Sequence, residues 1–394
     1  MSDLSITIDA LERSRSQLSV SCYFDETVFR HEQERIFKRG PRYLGHELCV
    51  PEAGDFHTLQ QEGEGRALVR TPRGVELISN VCRHRQAVML RGRGNTQYTQ
   101  QGAQQGAQQG AQAGHIVCPL HRWTYDLSGK LIGAPHFPDD PCLNLNNYAV
   151  QSWNGLIFEA QQGAAGRNVA KELAQLGPRA ELNFDGYQFD RAFMHECDYN
   201  WKSFIEVYLE DYHVGPFHPG LGNFVTCEDL RWEMGEHHSV QTVGIATPGG
   251  KALGRPGSDV YKKWHEVVLN YRDGKAPKQG AIWLTLYPNV MVEWYPHVLV
   301  VSTLFPRGPR KTLNMVEFFY PEEIVAFERE FVEAQQAAYM ETCVEDDEIA
   351  LRMDAGRAAL LARGDDEFGP YQSPMEDGMQ QFHEWYQRAM GRGE

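Results

Sequence analysis

Two short clusters, Cys82-x-His84 in NVCRHRQ and Cys118-x-x-His121 in HIVCPLHRW, constrain this chain more than any other feature. Two thiols and two imidazoles supplied by two loops make a metal site, and the fold has to hold those loops against each other. Tetrahedral zinc would use the same inventory. The distribution favours a [2Fe-2S] centre with two thiolates on one iron and two imidazoles on the other, because each loop must then offer one Cys and one His, and both loops do. Around them, residues 67–70, 74–80 and 115–125 are short stretches rich in β-branched and aromatic residues, bounded by Gly and Pro. They predict a small all-β domain over residues 41–150.

With Trp123, Tyr125, Asp126 and Gly129 following, the C-R-H and C-P-L-H-x-W-x-Y-D motifs resemble the Rieske domain of the ring-hydroxylating oxygenase family. The resemblance implies that Cys82 and Cys118 hold one iron and His84 and His121 the other. The sequence departs from the family in the gap, since 33 residues separate His84 from Cys118, roughly twice the usual number. The repeat QGAQQGAQQGAQ accounts for the excess. It has no charge and no apolar side chain larger than Ala, so it cannot build a core and predicts a flexible loop over residues 100–114. Respiratory-chain Rieske proteins resemble a different pattern with an extra Cys in each loop; Val88, Met89 and Leu120 stand here instead. An oxygenase or ferredoxin cluster of lower potential fits better.

From residue 151 the pattern becomes helical around 200–212, 321–361 and 374–390, with strands across 281–305, which predicts an α+β domain. The stretch NWKSFIEVYLEDYHVGPFHPG places Glu210 one helical turn before His213, with His218 five residues further on. Two His and one carboxylate are the ligand set of oxygen-activating mononuclear Fe(II). On a continuous helix residues five apart point about 140° away from each other. Gly215 and Pro216 are therefore expected to break the helix between the two imidazoles. Glu206, Glu210 and His213 line one face, a row too polar to bury without a reason. The segment is similar to the family's N-W-K…E…[DE]-x-Y-H-x-x-x-x-H signature. That likeness implies His213 and His218 as iron ligands, and Glu210 as the carboxylate joining an iron-ligand His of one subunit to the cluster His121 of the next. Glu in place of Asp there is more typical of members that demethylate quaternary ammonium compounds.

The third ligand is sought in CVEDDEIALRMDAGR, on a long amphipathic helix. Measured from Phe331, Asp347 lies about 160° from the apolar stripe and is expected to face solvent, whereas Asp346 at about 60° and Glu345 at about 40° both reach inward. The family's E-D-x-x-x-x-x-R pattern aligns Asp346 with the iron-ligating Asp, with Glu345 the reserve.

The chain has 394 residues, more than one core usually supports. The resemblance implies a small all-β Rieske domain (41–150) inserted in a helix-grip, START-like catalytic domain (1–40 and 151–394), with an antiparallel sheet and a long C-terminal helix. A net charge of -15 argues against binding nucleic acid or anionic membrane surfaces. The opening residues contain no continuous apolar run, and the eight cysteines are too scattered for a disulfide scaffold, so a cytoplasmic enzyme is expected. The expected activity is that of a terminal oxygenase, carrying a [2Fe-2S] Rieske cluster and mononuclear Fe(II), that uses O2 to hydroxylate or demethylate a small organic compound. Its electrons would come from a separate NAD(P)H-dependent reductase bearing flavin and iron-sulfur centres, with or without a ferredoxin. The family's assembly is a head-to-tail homotrimer, sometimes with a beta subunit. An aromatic acid is the first substrate expectation, and a quaternary ammonium compound the second. For the second, Trp283, Tyr287, Trp294 and Tyr295 form a candidate aromatic box. A Rieske electron carrier or redox sensor is the non-enzymatic alternative, disfavoured because a carrier needs only the first 150 residues or so.

Overall fold

The computed structural model describes residues 17–97, 114–139, 142–160, 166–177, 179–246 and 257–391. The repeat at 101–112 lies outside the described residues. Residues Pro41–Gln175 form one compact unit, and the chain on either side of it forms the other.

The inserted unit is built from short antiparallel strands. β2 (Asp55–Thr58), β3 (Arg66–Thr71), β4 (Gly74–Ser79), β5 (Arg93–Asn95) and β9 (Asn147–Tyr148) make one sheet in the order β5-β2-β3-β4-β9. β3 is central, and its alternation serves two cores. Ala67 and Val69 pack with Phe56, Ile116 and Tyr125, while Leu68 packs on the other face with Leu44, Leu77 and Ile157. The first core is completed by β6 (Ile116–Val117), β7 (Thr124–Tyr125) and β8 (Leu131–Gly133), and the second by β1 (Arg42–His46), β10 (Val150–Trp153) and β11 (Leu156–Glu159). Because β11 pairs with both β1 and β10, the unit runs to Gln175 rather than closing at 150.

The second unit centres on a seven-stranded antiparallel sheet of order β12-β18-β17-β16-β15-β14-β13. Its strands are β12 (Tyr187–Cys197), β13 (Val225–Met234), β14 (His238–Ile245), β15 (Ala281–Leu286), β16 (Val290–Tyr295), β17 (Val298–Gly308) and β18 (Lys311–Pro321). The expected turns at 287–289 and 296–297 join β15 to β16 and β16 to β17. Helices α1 (Trp201–Tyr208), α2 (Val214–Phe217), α3 (Asp259–Tyr271), α4 (Arg329–Arg363) and α5 (Asp377–Ala389) accompany it. The long α4 buries Phe331, Val332 and Ala338 with sheet residues Val298, Val316 and Phe318, and ends at Gly364, whose φ of 75° is the left-handed conformation a helix C-terminus favours.

The N-W-K motif anchors α1. Asn200 caps the helix by accepting from the Lys202 backbone N–H. Lys202 and Glu32, both with side chains fully buried, pair at 2.6 Å, and Trp201 and Tyr386 add hydrogen bonds to the same carboxylate. The polar row noted at Glu206 has its reason too: Arg357 at 2.6 Å, His383 at 2.8 Å and Tyr23 surround that carboxylate. The guanidinium and imidazole outweigh burial, which alone would raise the Glu206 carboxyl, and hold it at about 2. Among the described residues no helix is long and apolar enough to cross a membrane.

Candidate metal centres

In the inserted unit the two Cys/His loops are copies of one turn. Cys82 N–H donates to Ala87 O and Gln86 N–H to Cys82 O; Cys118 N–H donates to Trp123 O and Arg122 N–H to Cys118 O. Each turn closes through a residue at positive φ four places after the Cys, Gln86 at 56° and Arg122 at 61°. Asn80 fixes the first loop, accepting from Leu90 N–H and donating to the Leu90 and Glu64 carbonyls, each at 2.8 Å. Both sulfurs are buried, His84 is half-buried and His121 exposed. The imidazoles lie 4.7 Å apart by ring centroid, and His84 stacks on Trp123 at 5.0 Å. Tyr125 Oη receives the Arg83 N–H at 3.2 Å and lies 3.6 Å from Cys82 Sγ.

Two features decide what these four side chains fit. His84 Nδ1 is buried without a hydrogen-bond partner, an orphaned lone pair of the kind a metal fills. No three of the four bring donor atoms within 4.8 Å of one another, whereas the ligands of one tetrahedral zinc stand about 3.5 Å apart. A binuclear cluster, with the thiolates on one iron and the imidazoles on the other, separates the pairs in this way.

The second centre lies beside the end of α1. The helix stops at Tyr208, earlier than expected, because Asp211 turns its N–H out to Met375 O at 3.0 Å. The break therefore precedes His213 rather than falling between the imidazoles. Pro216 sits inside α2, where it costs no intrahelical bond, since first-turn N–H groups have no acceptor in the helix. This short helical turn brings His213 and His218 together at 2.9 Å between their Nε2 atoms. Asp346 Oδ1, from α4, stands 3.0 Å from His218 Nε2 and 3.6 Å from His213 Nε2. Adjacent ligands of an octahedral ion with bonds of about 2.1 Å are about 3.0 Å apart, so the trio matches one octahedral face.

The hydrogen bonds behind the imidazoles set their tautomers. His213 Nδ1 donates to Glu210 Oε1, and His218 Nδ1 donates to Glu345 Oε2 at 2.7 Å. With both Nδ1 protons engaged, both Nε2 lone pairs face Asp346 Oδ1, itself buried without a hydrogen-bond partner. Three lone pairs aimed at one point require a cation. The charge says the same: burial lowers His213, but Asp346 and Glu210 outweigh it and push it up to about 10, and Asp346 and Glu345 likewise raise His218 against burial. A divalent ion would supply that positive charge in place of protons. Asp347 is not turned to solvent as expected. It accepts from His195 at 2.8 Å and Tyr199 at 2.7 Å, because α4 beyond its apolar first half packs against the end of β12.

These atoms open onto a cavity of about 70 Å³ lined also by Tyr208, Asp211, Trp283, Glu293, Tyr295 and Tyr339. Glu293 is 1% exposed and hydrogen-bonded by Tyr339 and Tyr295, and burial pushes it up to about 7. Sequence reading passed over it. Its signal was a single carboxylate inside the otherwise apolar strand VMVEWY. Of the candidate aromatic box, Trp283 and Tyr295 reach the cavity; Tyr287 instead packs with Phe382 and Trp385, and Trp294 points to the other face of β16.

A scaffold of this kind with two iron-type centres defines a Rieske non-heme iron oxygenase. Residues 43–149 match the Rieske [2Fe-2S] domain, and residues 184–392 match the ring hydroxylating alpha subunit (catalytic domain). The chain belongs to that family: it is the terminal oxygenase component of a Rieske oxygenase, with a [2Fe-2S] cluster and a mononuclear iron as cofactors. It is 63% identical over 390 residues to putrescine 2-hydroxylase of Ralstonia nicotianae, covering 99% of this chain and 100% of the relative. Against putrescine 2-hydroxylase of Bordetella bronchiseptica it is 58% identical over 381 residues, covering 97% and 86%. Its fold resembles a quaternary ammonium Rieske monooxygenase crystallised with L-carnitine, with a TM-score of 0.70, 19% identity and coverage of 94% and 95%.

Proposed function

We propose that this oxygenase hydroxylates a carbon of a small aliphatic amine, a diamine of the putrescine type above all. The observation that carries the reading is identity of 63% and 58% over nearly the whole chain with two proteins named putrescine 2-hydroxylase. An aromatic acid, the first expectation from sequence, lacks such support.

The same proposal assigns the residues. Cys82 and Cys118 hold one cluster iron and His84 and His121 the other, while His213, His218 and Asp346 hold the mononuclear iron. That iron supplies oxygen binding and activation. Around it, Glu210 and Glu345 orient the imidazoles by accepting their Nδ1 protons, which leaves each Nε2 for the iron. Glu210 also joins His213 to His121 of a neighbouring subunit in a head-to-tail trimer, a reading supported by the exposure of His121. The overall conversion replaces C–H by C–OH, consumes O2, two electrons and two protons, and releases water; a separate NAD(P)H-dependent reductase supplies the electrons.

The test is incubation of the iron-loaded protein with a Rieske-oxygenase reductase, NADH, 18O2 and 1,4-diaminobutane. A hydroxylated amine carrying one 18O is expected. Labelled product from benzoate or from a quaternary ammonium compound, with none from the diamine, would refute the reading.

A further inference from the structure

Glu293 stands on β16 directly across from Trp283 of β15 and lines the same cavity as His213, His218 and Asp346. Its Oε1 accepts from Tyr339 Oη at 2.8 Å and its Oε2 from Tyr295 Oη at 2.9 Å. A carboxylate offers about four lone-pair positions, so others stay open. Both donors are neutral hydroxyls, which leave the charge uncompensated. Among the described residues no Lys, Arg or His forms an ion pair with Glu293, and the cavity wall includes no Lys or Arg. That wall carries four carboxyl side chains, Glu210, Asp211, Glu293 and Asp346.

Burying a carboxylate without a counter-charge is costly, so a cation or a proton has to arrive at Glu293. The surroundings favour the cation. Tyr208, Trp283, Tyr295 and Tyr339 follow one another around the cavity with successive ring centroids 6.5, 6.2 and 6.2 Å apart. Aromatic faces attract a cation within about 6 Å, and a proton on the carboxyl has no use for them. Asp211, the other buried carboxylate of the wall, already has the Gln241 amide at 2.5 Å on one oxygen.

We propose that Glu293, inside this ring of Tyr208, Trp283, Tyr295 and Tyr339, seats the protonated primary amine of the substrate and leaves its carbon chain to the wall formed by His213, His218 and Asp346. This rests on the amine reading above and adds the recognition residue. A primary ammonium fits better than a quaternary one because the open lone pairs of Glu293 call for N–H donors. Glu293 thereby selects amines over alcohols and hydrocarbons of equal length.

Anaerobic calorimetric titration of the iron-loaded protein with 1,4-diaminobutane, 1-aminobutane, butyltrimethylammonium and 1-butanol tests this, alongside KM and kcat. Wild type is expected to bind the two primary amines at least about tenfold more tightly than the other two. E293Q keeps the shape and removes the charge; it is expected to lose about ten- to a hundredfold in amine affinity, with butanol unchanged and KM rising more than kcat falls. Amine binding that is tight in wild type and undiminished in E293Q would overturn the role of Glu293 while leaving the amine reading intact. A wild type that binds no amine would overturn both. Iron and sulfide content checks the folding of E293Q, and should that variant fail, the wild-type series alone decides: equal or greater affinity for the quaternary ammonium or for butanol overturns the proposal.

Discussion

Asp346 and Glu345 are neighbours on α4, both acidic and both on His218, yet their substitutions should differ sharply. Asp346 Oδ1 stands 3.0 Å from His218 Nε2, on the side where the lone pairs converge, whereas Glu345 Oε2 is 2.7 Å from Nδ1, on the far side of the ring. D346N removes the one anionic member of the trio and should leave the mononuclear site empty. E345Q keeps a hydrogen-bond acceptor on Nδ1 but loses the charge that orients and strengthens the imidazole. Outer-shell losses of that kind cost about ten- to a hundredfold in metal affinity, roughly 1.4 to 2.7 kcal/mol. The assay is iron retained after dialysis against graded chelator, with acid-labile sulfide reporting the cluster, which neither change touches. Wild type should hold about three irons per two sulfides, since the family carries a binuclear and a mononuclear centre. E345Q should lose its third iron at a chelator concentration about ten- to a hundredfold lower than wild type needs, and D346N should stay near two irons throughout. Early loss from E345Q with retention by D346N would reverse the two roles and refute the geometry.

Removing Lys202 as K202M leaves Glu32 buried without its partner and should destabilise the catalytic unit by about 3–5 kcal/mol, read as a lower denaturant midpoint; an unchanged midpoint would contradict the buried pair. Glu206, held at about 2 against an ordinary 4.5, contributes stability that is fully present above pH 4.5 and lost as pH falls from there toward 2, roughly 3 kcal/mol in all. E206Q should flatten that part of the acid-unfolding curve, and an identical curve would show that the carboxylate is not held low. E210Q, in the absence of chelator, should keep its iron and sulfide while slowing reoxidation of the reduced cluster by oxygen and substrate at least about tenfold, as seen by stopped-flow absorbance. A wild-type rate would remove Glu210 from the path between centres.

The sequence by itself determined the chemistry. Cys82, His84, Cys118 and His121 stood out as one candidate group because each of two loops offers one Cys and one His, and the fold brings the two imidazoles to 4.7 Å by ring centroid. His213 and His218 stood out by their spacing beside Glu210, whereas only the family resemblance separated Asp346 from Glu345; the fold brings the three within 3.6 Å of one another. The short β-branched and aromatic stretches before residue 150 and the apolar stripe of α4 likewise announced an all-β unit and an α+β unit. Tertiary structure decided everything that depends on which distant atoms meet. Periodicity measured from one stripe sent Asp347 to solvent, but α4 packs along its length against two different neighbours, and the second of them, Tyr199 with His195, claims it. Pro216 looked like the breaker, yet the chain leaves the helix earlier because Asp211 finds an acceptor 164 positions further on in sequence, at Met375. The cavity wall was only half legible for the same reason: sequence picked out Trp283 and Tyr295, but Tyr208, Glu293 and Tyr339 join them from a helix, a strand and a second helix, through pairing register and helix packing that local sequence does not fix.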